Sequence, residues 1–498
     1  MLKQKFVLSY GSKMFAQFVT IAASIVVARV AGPTVMGTIA YALAYVKMLG
    51  FIADLGLGTA HIKLISEGRD EGKCNTTFSV LKAGASVLFI FVFFSMFLFQ
   101  KYYSKDGFES QIHEYVIYIL LAMMMIQSVL TIPITTFAAK IEQAKQDIPY
   151  LIRSILFQLA RIVIVLLGGK AISLAFGNLA ASVIIVPVYL YLFKNYPFSK
   201  FDKSLAKEYI KIAAPILILG AATTLTNTID KVLLQYFTDS EQVGYYTAGF
   251  RIGGFILLIS SSMSMLFFPM FSRAVAKRDF DYIKEKIKKF ERFSFLFIMP
   301  IVILIALFSK DIIVILLGEQ YLPSVNIMSV VTLALFLTVF NTPYGNILNG
   351  FGKFRLTAKI SIVNLFVFVG IIVLFLNENI INSGPIGVAW SLLITNVLLG
   401  ITYRYFAVKD IDSLDNFLAI KFIIYGIINF IISYYIFTGF FSENIWIRLS
   451  FLPIYLIYTF LSLHILKWMN REDWFSVIRL FDLKAMKKYI SGEIKGEK

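Results

Sequence analysis

The sequence predicts an all-α polytopic membrane protein of about fourteen transmembrane helices: two pseudo-symmetric six-helix bundles followed by two further helices. Three observations predict it. Of 498 residues, 58% are hydrophobic and 15% charged, at a mean hydropathy of +0.77, whereas soluble chains carry about 45–50% apolar residues. Apolar windows of roughly twenty residues, the length that crosses ~30 Å of hydrocarbon at ~1.5 Å per residue, recur along nearly the whole chain. The second half then repeats features of the first in the same order.

The windows centre near residues 18, 48, 89, 126, 159, 182, 222, 256, 304, 336, 366, 395, 429 and 457. The first follows Lys3 and Lys5 as a secretory leader would, but it runs to Ala28 and on into a second span without a convincing cleavage site, so it reads as a retained helix. This divides the chain into a six-helix unit at 1–200, a second at 201–410, two additional spans at 411–468 and a basic tail at 469–498. Soluble-type segments stay under roughly thirty residues, too short for an extramembrane catalytic domain, and a non-enzyme is expected. Cys74 is the one cysteine and excludes an internal disulfide. His61, His113 and His464 are far apart and form no metal-site spacing, so neither metal nor cofactor is expected.

Charge gives direction. An even number of spans puts both termini on one side, and the Lys and Arg residues concentrate in the segments that are cytoplasmic when the N-terminus is inside. A multi-pass protein of the cytoplasmic membrane with both termini inside is expected. The densest basic runs are Arg273 to Arg292 and Lys467 to Lys498. Orientation and anionic headgroups, worth about 1 kcal/mol per basic residue at the surface, account for the net charge of +17. No nucleic-acid recognition motif accompanies it. The segment DFDYIKEKIKKFERF, with Ile283, Ile287 and Phe290 on one face, predicts an amphipathic helix on the inner membrane surface joining two spans.

The two halves align at an offset of about 207–210 residues, the mark of a transporter built from related bundles. AGPTVMGTIAYALAYVK follows span one and TDSEQVGYYTAGFR follows span seven, which sets Gly37 against Gly244. Further on, Thr131-Ile132-Pro133 falls opposite Thr342-Pro343.

Ionisable residues inside spans cost about 2.5–3.5 kcal/mol at a helix centre and need a wet cavity or a partner. Ser9, Lys13, Gln17, Thr20 and Ser24 recur at helical spacing, a polar stripe through span one. Span seven carries Thr223, Thr224, Asn227, Asp230 and Lys231 on one broad face, and the two stripes are expected to face each other. Lys47 sits near the middle of span two, followed by Gly50 and Asp54. Arg251 in span eight aligns with Ala44, one turn from Lys47, so both halves place a cation at similar depth. Arg161 sits midway along span five beside Gln158 and Ser154.

Lys13, Gln17, Lys47, Arg161, Asn227, Lys231 and Arg251 are therefore candidate substrate contacts, and Asp54 and Asp230 candidate ion-coupling groups. Structural alternatives stay open. Lys13 and Lys231 are placed to snorkel to an interface, and Asp54 to end a helix. Asp230 and Lys231 are adjacent, about 100° apart on a helix, and so do not make a simple pair. Pro215, Pro300 and Pro343 are candidate kinks. Tyr41, Tyr45, Tyr245 and Tyr246 are candidate sugar contacts near an outer mouth. The excess of cations over carboxylates predicts an anion-binding cavity.

The stretch SYGSKMFAQFVTIAASIVVARVAGPTVMGTIAYALAYVKMLGFIADLGLGTAHIKLISE resembles the amino-terminal signature of polysaccharide flippases in the multidrug/oligosaccharidyl-lipid/polysaccharide exporter superfamily. TIDKVLLQYFTDSEQVGYYTAGFRI and ILNGFGKFRLTAKISIVNL are similar to that family's carboxyl half, and the resemblance spans residues 1–410 or so. It implies a two-lobed bundle around a central cavity, alternating access, and a polyprenyl-diphosphate oligosaccharide as cargo in cell-surface polysaccharide biosynthesis. The expected partners are membrane lipids, that substrate, and a polysaccharide polymerase or glycosyltransferases, around a monomeric transport unit. Coupling is expected to Na⁺, H⁺ or the membrane potential. The competing readings are a multidrug antiporter of the same superfamily and a non-transporting scaffold of a biosynthetic complex.

Overall fold

A computed structural model describes residues 2–104, 107–411, 416–441 and 445–465; the basic tail at 469–498 lies outside the described residues. The first half contains α1 (Leu2–Met48), α2 (Gly50–Asp54), α3 (Leu57–Ser66), α4 (Glu71–Tyr102), α5 (Gln111–Ala139), α6 (Gln143–Leu166), α7 (Ala171–Ile184) and α8 (Val186–Phe193). The second contains α9 (Lys203–Thr226), α10 (Ile229–Phe237), α11 (Ser240–Gly253), α12 (Leu257–Ala276), α13 (Phe280–Phe293), α14 (Met299–Leu307), α15 (Ser309–Leu317), α16 (Ser324–Gly350), α17 (Phe354–Leu376) and α18 (Gly384–Ile411). α19 (Asn416–Phe440), α20 (Ile445–Leu449) and α21 (Phe451–Ile465) follow. The protein is an all-α, multi-pass membrane protein.

Eleven helical runs among the described residues are long and apolar enough to cross a membrane, and Ile424–Phe440 is a shorter apolar one. The number differs from the fourteen expected for local reasons. α1 holds two spans in one run, divided at Gly32, whose φ of 81° and ψ of 169° leave the helical region. Only glycine adopts that φ freely, and Pro33, lacking an N–H, suits the first turn of the resumed helix. The span expected near residue 256 is divided into α11 and α12 by a 3₁₀ turn at Gly254–Ile256.

Span two departs most from its expected form. Its helix stops at Met48, restarts as the single turn of α2, and stops again where Leu55 and Gly56 both take left-handed backbone, at φ 50° and 75°. Lys47 and Asp54, expected on one continuous face, thus sit on separate segments. The basic segment at 279–293 differs too. α13 does not lie apart as a surface linker but runs through a π turn at Ser294–Ile298 into α14, so that Phe280–Leu307 is one span with a basic extension. The π turn, with the Met299 N–H bonded to the Ser294 carbonyl, lies just ahead of Pro300, the proline expected to kink the helix.

The core is aromatic. Phe290, Phe295, Phe336 and Phe340 are buried and meet ring to ring, with Phe295 and Phe340 centroids 5.2 Å apart. At the ends of helices, aspartates satisfy free backbone N–H groups. Asp70 accepts from the Lys73 N–H, Asp239 from Gln242, Asp279 from Tyr282, and Asp202 from Ser204 and Leu205. The Leu205 N–H foremost holds the Asp202 carboxyl below its ordinary value.

α9 belongs in sequence to the second half, yet its first turns pack on α3 and α4 as well as on α17. The Tyr209 hydroxyl bonds His61 Nδ1 at 2.7 Å, and His61 Nε2 bonds Thr136 Oγ1 at 2.9 Å. Thr136 donates to Asn75 Oδ1, and Tyr209 to the Cys74 carbonyl. His61 is sandwiched on Phe78, with ring centroids 4.2 Å apart. Arg69 pairs with Glu208 at 2.8 Å above this knot. Every polar member is partnered, as burial requires.

Candidate functional site

Away from the basic connections, the two halves close against each other. Gly37 of α1 and Gly244 of α11 bring the two backbones into contact: a Cβ on Gly37 would lie 1.7 Å from the Ser240 carbonyl oxygen. Beside them, Glu109 Oε2 accepts from Gln235 Nε2 at 2.6 Å, from the Ser240 N–H at 3.0 Å and from Ser240 Oγ at 2.5 Å. His113 Nε2 bonds the same Ser240 Oγ at 2.7 Å. On the other flank Tyr321 donates to the Ala28 carbonyl, Gln320 to the Arg29 carbonyl, and Arg29 to the Ile315 carbonyl. The first two use α1 carbonyls freed by the kink at Gly32.

Beneath this closure is a narrow cavity lined by Ser24 and Ala28 of α1, Thr247 and Arg251 of α11, and Tyr321. The Arg251 side chain is exposed to it. Arg161 reaches the same wall from α6, donating to Ser24 Oγ at 3.3 Å and to Gln158 Oε1 at 2.9 Å. The two guanidiniums lie within reach of each other's charge. Among the described residues neither forms an ion pair. Two cations from different halves thus gather at one cavity, Arg251 lining it and Arg161 bonded to Ser24 in its wall, where low dielectric strengthens their pull on an anion.

Lys47, at the end of α1, is exposed and lies within electrostatic reach of Arg153 and Lys231. Lys231 is committed locally. Its Nζ meets Asp230 Oδ2 at 2.9 Å and Oδ1 at 3.0 Å, while Tyr246 donates to the same Oδ2. The expectation that these neighbours do not pair is therefore corrected. Asp230 sits in the first turn of α10, and the Lys231 ammonium that pairs with it also lies over the Phe250 ring, 5.2 Å from its centroid.

Asp54 is likewise taken, by Lys82 Nζ at 3.1 Å. It borders a second cavity of about 180 Å³ between α2 and α9, lined by Gly50, Gly56, Gly220 and Thr224. Gln17 and Asn227 are exposed, and the Lys13 side chain lies outside the described ones. Among the described side chains, the stripe on span one does not bond to that of span seven. Thr20 and Ser24 bond to Gln158 and Arg161 of α6 instead. Tyr41, Tyr45, Tyr245 and Tyr246 are all buried in the closure rather than open at a mouth.

Four charged side chains escaped the sequence reading. Lys82 is buried in a run of apolar residues, and only the fold brings Asp54 to it. Arg153 lies two turns before Arg161 and donates to Ser182 Oγ at 3.1 Å; its position on the same helix was the available signal. Glu291 and Arg404 form a buried knot with the Tyr344 hydroxyl, from three helices no spacing rule connects.

Residues 26–326 match the family described as "Polysaccharide biosynthesis protein". The chain is similar to the probable low-salt glycan biosynthesis flippase Agl15 of Haloferax volcanii, with 22% identity over 408 residues, 79% of each chain. It is also similar to an uncharacterized membrane protein, MJ1068, of Methanocaldococcus jannaschii, with 25% identity over 194 residues, and it spans 38% of that protein's length. Among solved structures, the lipid II flippase MurJ in an inward closed conformation superposes with a TM-score of 0.70 at 15% identity, over 92% of this chain and 99% of that one. A multidrug resistance MATE family transporter of the MOP superfamily, inward-facing, gives 0.66 at 16% identity, over 80% and 94%. These likenesses establish the fold. Because the family match covers more than half of the sequence, this multi-pass membrane protein belongs to the polysaccharide biosynthesis protein family.

Proposed function

We propose that this chain is a flippase that carries a polyprenyl-diphosphate-linked oligosaccharide from the cytoplasmic to the outer leaflet by alternating access. The observation that carries the reading is a pair of arginines, one from each half, without a carboxylate partner among the described residues: Arg251 lines the cavity, and Arg161 donates to Ser24 in its wall. A diphosphate stripped of water needs such donors, and guanidiniums bind phosphate oxygens bidentately. The similarity to a glycan biosynthesis flippase supports the same class of cargo.

Direction comes from charge. With the basic connections inside, the closure at Gly37 and Gly244 faces outward and the cavity loads from the cytoplasm. In an inside-negative membrane, outward movement of one negative charge gains about 2.3 kcal/mol per 100 mV. The empty cationic carrier is drawn back. Asp54 and Asp230 each hold a lysine, so the membrane potential, rather than Na⁺ or H⁺ at these carboxylates, is the driving force this arrangement favours. The same pairing weighs against a cationic drug as substrate, since both carboxylates it would seek are neutralised. Sugar-transferring and polymerising enzymes that make and consume the lipid-linked glycan are the expected partners.

The test is a reconstituted flipping assay with a fluorescent polyprenyl-diphosphate disaccharide. Arg161→Gln with Arg251→Gln is expected to abolish flipping without loss of membrane insertion. Flipping at the wild-type rate would overturn the proposal.

A further inference from the structure

Arg161 is held by neutral groups only, through a chain of hydrogen bonds with a single sense. Arg161 can only donate, so Gln158 must present its carbonyl oxygen, Oε1, at 2.9 Å. That turns the Gln158 amide nitrogen toward α1, where it donates to Thr20 Oγ1 at 3.1 Å. The Thr20 hydroxyl, having accepted, gives its own proton to the Ala16 carbonyl at 2.8 Å. Gln158 is buried, at 4% exposure, so water does not substitute for it. The Phe157 ring lies 5.4 Å from the guanidinium carbon and limits its swing.

The choice of glutamine has an electrostatic consequence. A glutamate in the same place would fix the guanidinium equally well and cancel its charge, as Asp230 does to Lys231 and Asp54 to Lys82. Glutamine fixes it and leaves the full positive charge beside the cavity wall, within reach of the Arg251 charge. That juxtaposition of like charges is unfavourable when empty, and only a rigid tether keeps Arg161 from turning away to solvent.

We propose that Gln158 is a positioning residue that anchors Arg161 to α1 through Thr20 while sparing its charge for an anionic headgroup. Its tethering role is independent of the cargo; its effect on binding rests on the flippase reading.

Two measurements on the full-length protein separate these. Phenylglyoxal modification of Arg161, read by peptide mass spectrometry, reports how firmly the guanidinium is held. Gln158→Leu is expected to raise the rate about tenfold, since one hydrogen bond to a charged group is lost. Gln158→Glu is expected to lower it, and Thr20→Val, which removes the anchor while keeping shape, to raise it less. Rates equal to wild type in all three would overturn the tether. Binding of polyprenyl diphosphate, compared with neutral polyprenol, reports the charge. Gln158→Glu is expected to weaken diphosphate binding at least about tenfold although Arg161 stays fixed; unchanged binding would overturn charge sparing. Wild-type protein that binds diphosphate no better than polyprenol, with the modification rates shifted as expected, would overturn the flippase reading and leave Gln158 as the tether.

Discussion

Gly37 and Gly244, aligned positions in the two halves, each meet the other's helix so closely that its backbone, at Ser240 and at Pro33, occupies the place of the missing side chain. A Cβ on Gly244 would lie 2.1 Å from the Pro33 carbonyl oxygen, and one on Gly37 2.7 Å from the Gly244 nitrogen. Neither obstacle is a flexible side chain. Gly37→Ala and Gly244→Ala are therefore expected to cost about 1–3 kcal/mol of the closed arrangement, as overpacking does. Spin labels at the exposed Lys170 and Glu319, one on each half, should then show a longer distance in the variant than in wild type. An unchanged distance distribution would show that the contact does not hold the closure.

The Glu109 carboxylate spends one oxygen on three donors from the second half. Charge-assisted bonds of this kind contribute about 1.5–3 kcal/mol each. Glu109→Gln keeps the shape and removes the charge, so the Ser240 N–H is expected to exchange with deuterium roughly tenfold faster or more. Exchange at the wild-type rate would mean that apolar packing alone keeps this side shut.

Lys82 has 5% of its side chain exposed, whereas Asp54 has 46%. Removing the carboxylate therefore strands a buried ammonium, and removing the ammonium leaves a carboxylate that water can reach. Asp54→Asn is expected to destabilise the protein by about 3 kcal/mol and Lys82→Met by less than half of that. Thermal unfolding in detergent of the two variants reads the order, and the reverse order would contradict this account of the pair.

Glu142 lies in the basic-side connection between α5 and α6. Partial burial alone would raise its carboxyl, but the Tyr196 hydroxyl and Lys145, at 3.0 Å, outweigh it and hold the group below its ordinary value. A carboxyl lowered on folding stabilises the native state above its unfolded value, so the contribution is complete above about pH 5 and fades as the pH falls through the folded value. Melting temperatures from pH 7 down to pH 3 should decline more in wild type than in Glu142→Gln. Parallel curves would remove Glu142 from the acid sensitivity.

Helices and their membrane character were legible because length and apolar content are properties of single segments. The correspondence of Gly37 with Gly244 was legible as a repeat, but not that their helices touch there. What remained hidden were contacts that depend on where one span stands beside another. Lys82 has no partner at helical spacing, and Asp54 reaches it only because span two breaks at Leu55 and Gly56. Asp230 and Lys231 were kept apart by treating side chains as radial spokes, although a lysine stem folds back along a helix end. The polar stripe of Thr20 and Ser24 is legible, but its neighbour is α6 rather than α9, because polarity marks a face and not the face opposite.

The Tyr209–His61 knot alters where this molecule divides. Tyr209 begins the second repeat by sequence, but its hydroxyl, with Glu208 beside it, is bound into the first. A polypeptide severed between Tyr196 and Ser199 would therefore not give two self-sufficient fragments: the second would carry α9 with its docking surface bare, and the first would keep an unfilled slot beside His61. Severed at Asn227 and Thr228, where α9 ends and α10 begins, the first piece would keep the knot around His61 whole, and the bonds of Glu109, His113 and Arg29 to the second half would have to re-form between the pieces. The helix that opens the second half by sequence thus has its polar anchor in the first.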